Sequence, residues 1–475
     1  MSTASTCTWN GTLCQDLQPG VFLSRLSQRD LQYDISIDQV FLPGISLNTI
    51  DSDEEYWIKS ALDLGFKSLF IDIYWIDESW QVCNGTITGC FELSVVCDIL
   101  SEYIQLTDTN IAVSFLRVAL RFHPGIDTLS QELMSNWTVQ LNSEVSSLAM
   151  NRIFTPAALA SLQSSSNGVT LEGTARTNIS QAWPSMQQVL LNSKQRMVVT
   201  VDRSFFPANV SWIPLEDIAF DSTNQAQSLV GIGWPLESPE FSNVYEMSMV
   251  PFHSLSVSNI TVADWKSAIL AGYSPVYNAT VSDAALLDIA DQLQWFWQSG
   301  QPQYQSTDDR NEMESDNNMT MCALSEYAGA LVTNCRDKHP VLCQNLSDPF
   351  QWRLSPESQW SFFEAAQVDS CCPQGFLYNT PRTLLEQIAV LDLLSTTPAW
   401  TTVNSLSLAN CWIEGAYAYC PYNVVESSRN GVAQLVVASA IGFILLVAMV
   451  ALEYRQLRMP LRPQFKLPKA KKKNM

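Results

Sequence analysis

The run GVAQLVVASAIGFILLVAMVAL, Gly431 to Leu452, constrains this chain more than any other feature, because Gln434 is its only strongly polar side chain. Coiled as a helix it would extend ~33 Å at ~1.5 Å per residue, enough to cross a hydrocarbon layer of ~30 Å. Buried helices of water-soluble domains rarely run so long without a charge. We therefore read residues 431–452 as one transmembrane helix, with the lipid bilayer as its partner. The tail 453–475 that follows carries eight Lys or Arg and one acid, Glu453. Of the 26 basic and 47 acidic residues in the whole chain, 18 and 46 then remain before the span. Positive charge on one flank alone assigns the tail to the cytosol and the preceding part to the lumen, a single-pass type I arrangement. The tail also suits contact with anionic lipid headgroups. Lys472 and Lys473 near its end fit the dilysine signal that returns membrane proteins to the endoplasmic reticulum, which implies a coat-protein contact.

Two further signals agree with a lumenal location. All twelve cysteines precede the apolar run: Cys7, Cys14, Cys83, Cys90, Cys97, Cys322, Cys335, Cys343, Cys371, Cys372, Cys411 and Cys420. An even number on the lumenal side suits an oxidising compartment and up to six disulfides, with connectivity left open. No Cys/His spacing points to zinc. Nine Asn-x-Ser/Thr acceptors lie on the same side: Asn10, Asn84, Asn136, Asn178, Asn209, Asn259, Asn278, Asn318 and Asn345. None follows the span, as expected of a glycoprotein. The first twenty residues lack the apolar core of a signal peptide. Either a leader is encoded ahead of Met1 or the C-terminal span is inserted without a cleaved signal; because the cysteines and acceptors require translocation, the leader is expected.

Net charge is −21, yet charged residues are only 15% and aromatics 10%. This is the composition of a well-packed globular chain, not of an acidic disordered tail. Such acidity excludes direct nucleic-acid binding by the folded part, since phosphates need clustered Lys and Arg.

From about Leu31 to Asn278, strand-like and helix-like stretches alternate, as in α/β architecture. The segment SIDQVFLPGISLNT reads as an apolar strand, Ile37 to Leu42, ended by a Pro43-Gly44 turn. KSLFIDIYW (Lys67 to Trp75), NIAVSFLRVALRFHP (Asn110 to Pro124) and RMVVTVD contain further strands. ELSVVCDILSEYIQ has helical apolar spacing. Thr155 caps a helix that has Pro156 at its first position. A (β/α) barrel of ~250 residues fits length and order. Past Asn278 the chain becomes Cys-paired, Trp-rich and polar.

Taken in order, IDQVFLPGISLNT, LDLGFKSLFIDIYW, the LRVALRFHP segment and WPSMQQVLLNSKQRMVVTVD resemble the barrel of phosphatidylinositol-specific phospholipase C-like phosphodiesterases. With SRLSQRDL ahead of the barrel, the Cys-rich part and the single span, the chain is similar to the fungal family called maintenance of telomere capping protein 6. WFWQSGQPQ, CALSEYAGALVTNC and HPVLC resemble the later half of C-type lectin-like domains. These resemblances imply a degenerate phosphodiesterase-like TIM barrel over 1–285, a disulfide-rich lectin-like module over 286–425, the span at 431–452 and the cytosolic tail at 453–475. Gln301-Pro302-Gln303 only partly matches the lectin motif, and Leu331-Val332 occupies the calcium-binding position. A scaffold role for Cys322, Cys335 and Cys343 follows, with no metal or cofactor.

Phosphodiester cleavage of the inositol type uses two imidazoles that exchange protons near neutral pH. In the matching turn, the family's His falls on Ser46 and its Thr on Ile45. The family's Arg falls on Lys67, and Asp72 is retained. The chain has three histidines, His123, His253 and His339; His123 follows the third strand and reads as structural. The vacated-site positions are thus Ser46, Asp72, His123 and Asp202, and the expectation is a pseudoenzyme, with its link to telomere capping indirect and its lumenal partner unspecified. Two alternatives remain. Asp72, Asp77, Glu78 and Asp202 at strand ends would suit a phosphodiesterase or glycoside hydrolase, or bind calcium; such acids also serve as turn formers. An exposed Trp cluster or open cleft would instead suit a glycan- or lipid-binding receptor.

Overall fold

The computed structural model describes residues 19–47, 54–83, 90–107, 113–123, 139–141, 143–145, 152–164, 183–202, 215, 217–221, 254–257, 269, 272–277, 289–290, 292–303, 320–356, 359–368 and 370–420. Two compact units divide the chain, Met1–Ala418 and Tyr419–Met475. The first begins with α1 (Pro19–Leu31), β1 (Gly44–Ser46), α2 (Glu54–Asp63), β2 (Ser68–Ile76), β3 (Ser79–Val82) and β4 (Phe91–Glu92). It continues through α3 (Leu93–Thr107), β5 (Leu116–His123), β6 (Ile153–Phe154), α4 (Pro156–Ser164), β7 (Met197–Asp202), β8 (Ala219–Asp221), β9 (Ser254–Val257) and β10 (Ser274–Tyr277).

Strands pair in parallel in the order β9-β10-β1-β2-β5-β7, and β6 and β8 both pair with β7. This is the parallel wall of a TIM-barrel-like domain. Its strands alternate: Leu69, Ile71 and Ile73 of β2 enter the main core with Ile58, Ala61 and Leu62 of α2 and Val96, Leu100 and Ile104 of α3. Burial at that helical spacing explains why α3 forms where the apolar period predicts it. Ala158 N donates to Thr155 Oγ1 at 3.2 Å, so the expected cap of α4 is present.

One strand was misplaced by its apolar run. Ile37 to Leu42 is not a strand; β1 starts at Gly44, so Pro43-Gly44 leads into the strand instead of ending it. Ile35, Ile37, Val40 and Leu42 are buried as an irregular segment against Phe154, Trp183 and Met186. A Cβ on Gly44 would sit 3.0 Å from the Ser68 carbonyl oxygen, so the close approach of β1 to β2 favours glycine there. Apolarity reported burial here, and pairing chose another segment.

The C-terminal part contains β11 (Thr320–Glu326), β12 (Gly329–Asn334), β13 (Leu342–Asn345), β14 (Trp352–Leu354), α5 (Phe362–Gln367), β15 (Phe376–Tyr378), α6 (Leu384–Leu394), β16 (Ala399–Asn404) and β17 (Ile413–Glu414). Two antiparallel sheets result, β12-β11-β16-β17 and β14-β13-β15. Leu384, Val403 and Trp412 share one core with barrel residues such as Ile45 and Ile71, so packing continues across the expected boundary at residues 285–286.

Disulfides join Cys83 to Cys90, Cys322 to Cys335 and Cys343 to Cys372. Cys411 and Cys420 are disulfide-bonded as well. Cys97 and Cys371 are buried and lie outside these bridges, so the full set of six is not made. Cys97 lies inside the α3 core, where it packs as a small apolar residue. Cys7 and Cys14 lie outside the described residues, as do 431–452 and the tail with Lys472 and Lys473. Among the described residues no helix is long and apolar enough to cross a membrane.

Candidate functional site

Strand β5 reads LRVALRFH, and its alternation separates two faces. Leu116, Val118, Leu120 and Phe122 enter the main core; Arg117, Arg121 and His123 occupy the other face. Register then sets Arg121 opposite Asp72 and His123 opposite Tyr74 on β2. The result is a charged cluster toward the C-terminal end of the barrel strands, the end where barrel enzymes carry their chemistry.

Asp72 is its centre, with a side chain only 6% exposed. Arg121 Nε lies 2.6 Å from Asp72 Oδ1, and His123 Nε2 lies 3.0 Å from the same oxygen. Neither of these two approaches has hydrogen-bond geometry; the Arg121 one is an ion pair, and His123 lies in close contact. Arg121 Nη2 does donate hydrogen bonds, to Asp72 Oδ2 at 3.1 Å and to Ser46 Oγ at 3.0 Å. Tyr74 stacks on His123 with ring centres 4.7 Å apart. Burial, and then the Asp72 charge, push the Tyr74 phenol upward. One strand turn closer to the barrel base, Arg117 lies over Phe70 and donates to Thr200 Oγ1 at 3.4 Å.

Three of the four expected positions therefore converge: Ser46 and Asp72 through Arg121, and His123 at Asp72. The fourth, Asp202, ends β7 with its backbone in register with Arg121; its side chain lies outside the described residues. Arg121 itself was missed by sequence reasoning. The period-two polar face Arg117, Arg121, His123 within an apolar strand was the signal that could have found it.

Other candidates lie elsewhere. Asp77 and Glu78 form the exposed turn between β2 and β3, with φ of 49° and 63°, and do not join Asp72. Turn formation explains them. Lys67 precedes β2 at the opposite end of the strand from Tyr74, away from the cluster. His339 meets the Trp400 ring edge-on at 5.3 Å, and burial lowers its pKa. His253 lies outside the described residues. Of the nine glycosylation acceptors only Asn345 is described; it ends β13, accepts from Ser347 N at 2.8 Å, and is followed by an exposed Leu346. Leu331 and Val332 lie within β12, and the Gln301-Pro302 peptide is cis. Among the described residues no group of three His, Cys, Asp or Glu is placed to hold a metal ion.

With this geometry in view, the family profile described as the MTC6 partial TIM-barrel domain matches residues 17–299, more than half of the chain. Curated relatives called maintenance of telomere capping protein 6 match nearly end to end. That of Vanderwaltozyma polyspora is 28% identical, covering 91% of this chain and 88% of its own. That of Meyerozyma guilliermondii is 24% identical over 92% and 90%, and that of Lachancea thermotolerans 26% over 90% and 88%. Among solved structures, a calcium-dependent phosphoinositol-specific phospholipase C from a Gram-negative Pseudomonas is 14% identical, covering 55% of this chain and 89% of its own. The TM-score of that match is 0.29, too low to carry any argument.

Proposed function

The chain belongs to the maintenance of telomere capping protein 6 family, and on that premise we propose that its barrel is a non-catalytic scaffold. The carrying observation is how Asp72 is spent. Both its oxygens face Arg121, and the one imidazole in the cluster contacts the same carboxylate. Ser46, in the position that resembles the family histidine, accepts a hydrogen bond from Arg121. A mutually compensated set with a single imidazole lacks the proton-exchanging couple that inositol-type cleavage uses. Purified protein assayed for phosphodiester and glycoside cleavage, beside an Asp72→Ala, Asp202→Ala variant, tests this. Activity in the wild type that disappears in the variant would overturn it.

The same proposal takes the protein to be a glycosylated, single-pass type I membrane protein of the endoplasmic reticulum or secretory pathway. Supporting it are the 431–452 run, the basic tail, the nine acceptors and the disulfides. The C-terminal sheets, stapled by Cys322–Cys335 and Cys343–Cys372, act as a lectin-like scaffold without calcium. A barrel confined to the lumen contributes to telomere capping indirectly. Endoglycosidase sensitivity, together with tail lysines open to protease in intact microsomes, is the expected result; an unglycosylated native protein would refute the topology.

A second reading has one specific observation in its favour. His123 Nε2 lies 3.0 Å from Asp72 Oδ1, which sets the one imidazole of the cluster beside a carboxylate, the pairing that a general base uses. Catalysis abolished by His123→Ala in the same assay would establish it.

A further inference from the structure

At the other end of the strands, on the face where barrels normally carry stability and not chemistry, lies a cavity of about 120 Å³. The residues just ahead of three parallel strands line it: Pro43 before β1, Lys67 before β2, and Phe115 before β5. Helix α1 covers it with Leu26, and Gln32, the residue after that helix, joins the wall. A dry cavity of this order, about 150 Å³, accommodates a benzene ring.

Two side chains on its wall have unused hydrogen-bond donors. Gln32 is 2% exposed, and its Oε1 accepts from Phe41 N at 2.9 Å. Its NH2 group has no partner among the described residues. Lys67 donates to the Leu62 carbonyl and the Tyr103 hydroxyl, each at 2.6 Å, which leaves one of its three N–H groups. It forms no ion pair with any described carboxylate, whereas Arg29 on the same wall is paired with Asp30 at 2.6 Å. Both donors are fixed to one short segment: Gln32 holds Phe41 N, and Lys67 N donates to the Pro43 carbonyl at 2.8 Å.

We propose that this cavity binds a small monocarboxylic acid with an apolar body about the size of a benzene ring. Its carboxylate accepts from Lys67 Nζ and Gln32 Nε2, and its body lies among Val40, Leu42, Phe115 and Met186. Arg25 and Asp63 on the same wall carry opposite charges, so the ammonium of Lys67 matches one negative charge. A dianion such as inorganic phosphate would enter a largely apolar hollow with half its charge uncompensated, which desolvation forbids. A neutral hydrocarbon would leave both donors unmatched.

The test titrates detergent-solubilised full-length protein with benzoate and, separately, with benzyl alcohol, by calorimetry. Benzoate is expected to bind saturably with Kd on the order of 1 mM or tighter, given the size of the ligand. Lys67→Met should weaken benzoate at least about tenfold, the strength of a charge-assisted contact, and leave benzyl alcohol within about twofold. Gln32→Glu keeps the acceptor for Phe41 N but sets a second carboxylate where the NH2 was. It should abolish benzoate binding, and it decides the matter alone if Lys67→Met fails to fold. The proposal is overturned if folded wild type shows no saturable benzoate binding, or if benzoate affinity is the same in wild type and a folded variant. None of these outcomes depends on whether the barrel mouth is catalytic.

Discussion

Arg121 and Asp72 face one another in direct register across β5 and β2, with Nε 2.6 Å from Oδ1 and Nη2 3.1 Å from Oδ2. Because both side chains are mostly buried, removing one partner strands the other's charge. Asp72→Ala is expected to destabilise the protein by about 3–5 kcal/mol. The double variant Asp72→Ala, Arg121→Met should recover part of that loss, because no lone charge remains. Chemical denaturation of the single and double variants measures the difference, and equal stability of the two would show that the pair contributes little.

Gln28 ties α1 to the segment that follows the barrel. Its Oε1 accepts from Trp295 N at 2.8 Å and Phe296 N at 3.1 Å, and its Nε2 donates to the Leu293 carbonyl at 3.3 Å. Truncation would leave two buried backbone N–H groups without partners. Gln28→Ala should therefore cost about 2–4 kcal/mol, and the amides of Trp295 and Phe296 should lose hydrogen-exchange protection before the rest of the core.

Glu386, wholly buried in α6, has its pKa pushed up to about 7, chiefly by desolvation, with Arg382 pulling it back and Glu414 adding to the rise. Its folded-state pKa lies above the unfolded value, so folding takes up a proton. The contribution is fully present below about pH 4.3 and is lost as pH rises through about 7. Glu386→Gln should flatten the fall in stability across that window. Above it, the variant should gain on the order of 2–3 kcal/mol over wild type, read from denaturation midpoints at pH 5 and pH 8.

The Cys97 thiol is buried in the α3 core, and desolvation, reinforced by Glu144, pushes its pKa up to about 12. Thiolate is the reactive form. Alkylation by iodoacetamide at pH 8 should spare Cys97 in the native protein and label it at the rate of global unfolding. Rapid native labelling would contradict the burial.

Where an element's apolar period and caps are local, the sequence located it well. LFIDIYW, LRVALRFH and MVVTVD are strands, the Thr155-Pro156 start opens a helix, and the Cys-rich part past Asn278 carries two antiparallel sheets. Ile37 to Leu42 was illegible because a short apolar run reports burial without stating hydrogen-bond partners. Lys67 was read into the Asp72 site because the Arg of the family's pattern falls on it, five residues before Asp72. A strand carries those five residues ~17 Å at ~3.3 Å each, to opposite ends of the barrel.

What the chain's order of residues determined by itself is its family, its α/β alternation and the side chains that bear charge within apolar strands. Tertiary structure alone decided which of those charges meet. Ser46 and Asp72 reach Arg121 from 75 and 49 residues away, and Cys97 is left unpaired while Cys343 finds Cys372. Local periodicity depends on neighbours a few residues apart, whereas these contacts arise from strand register and helix packing, which bring together parts of the chain that carry no mark of one another.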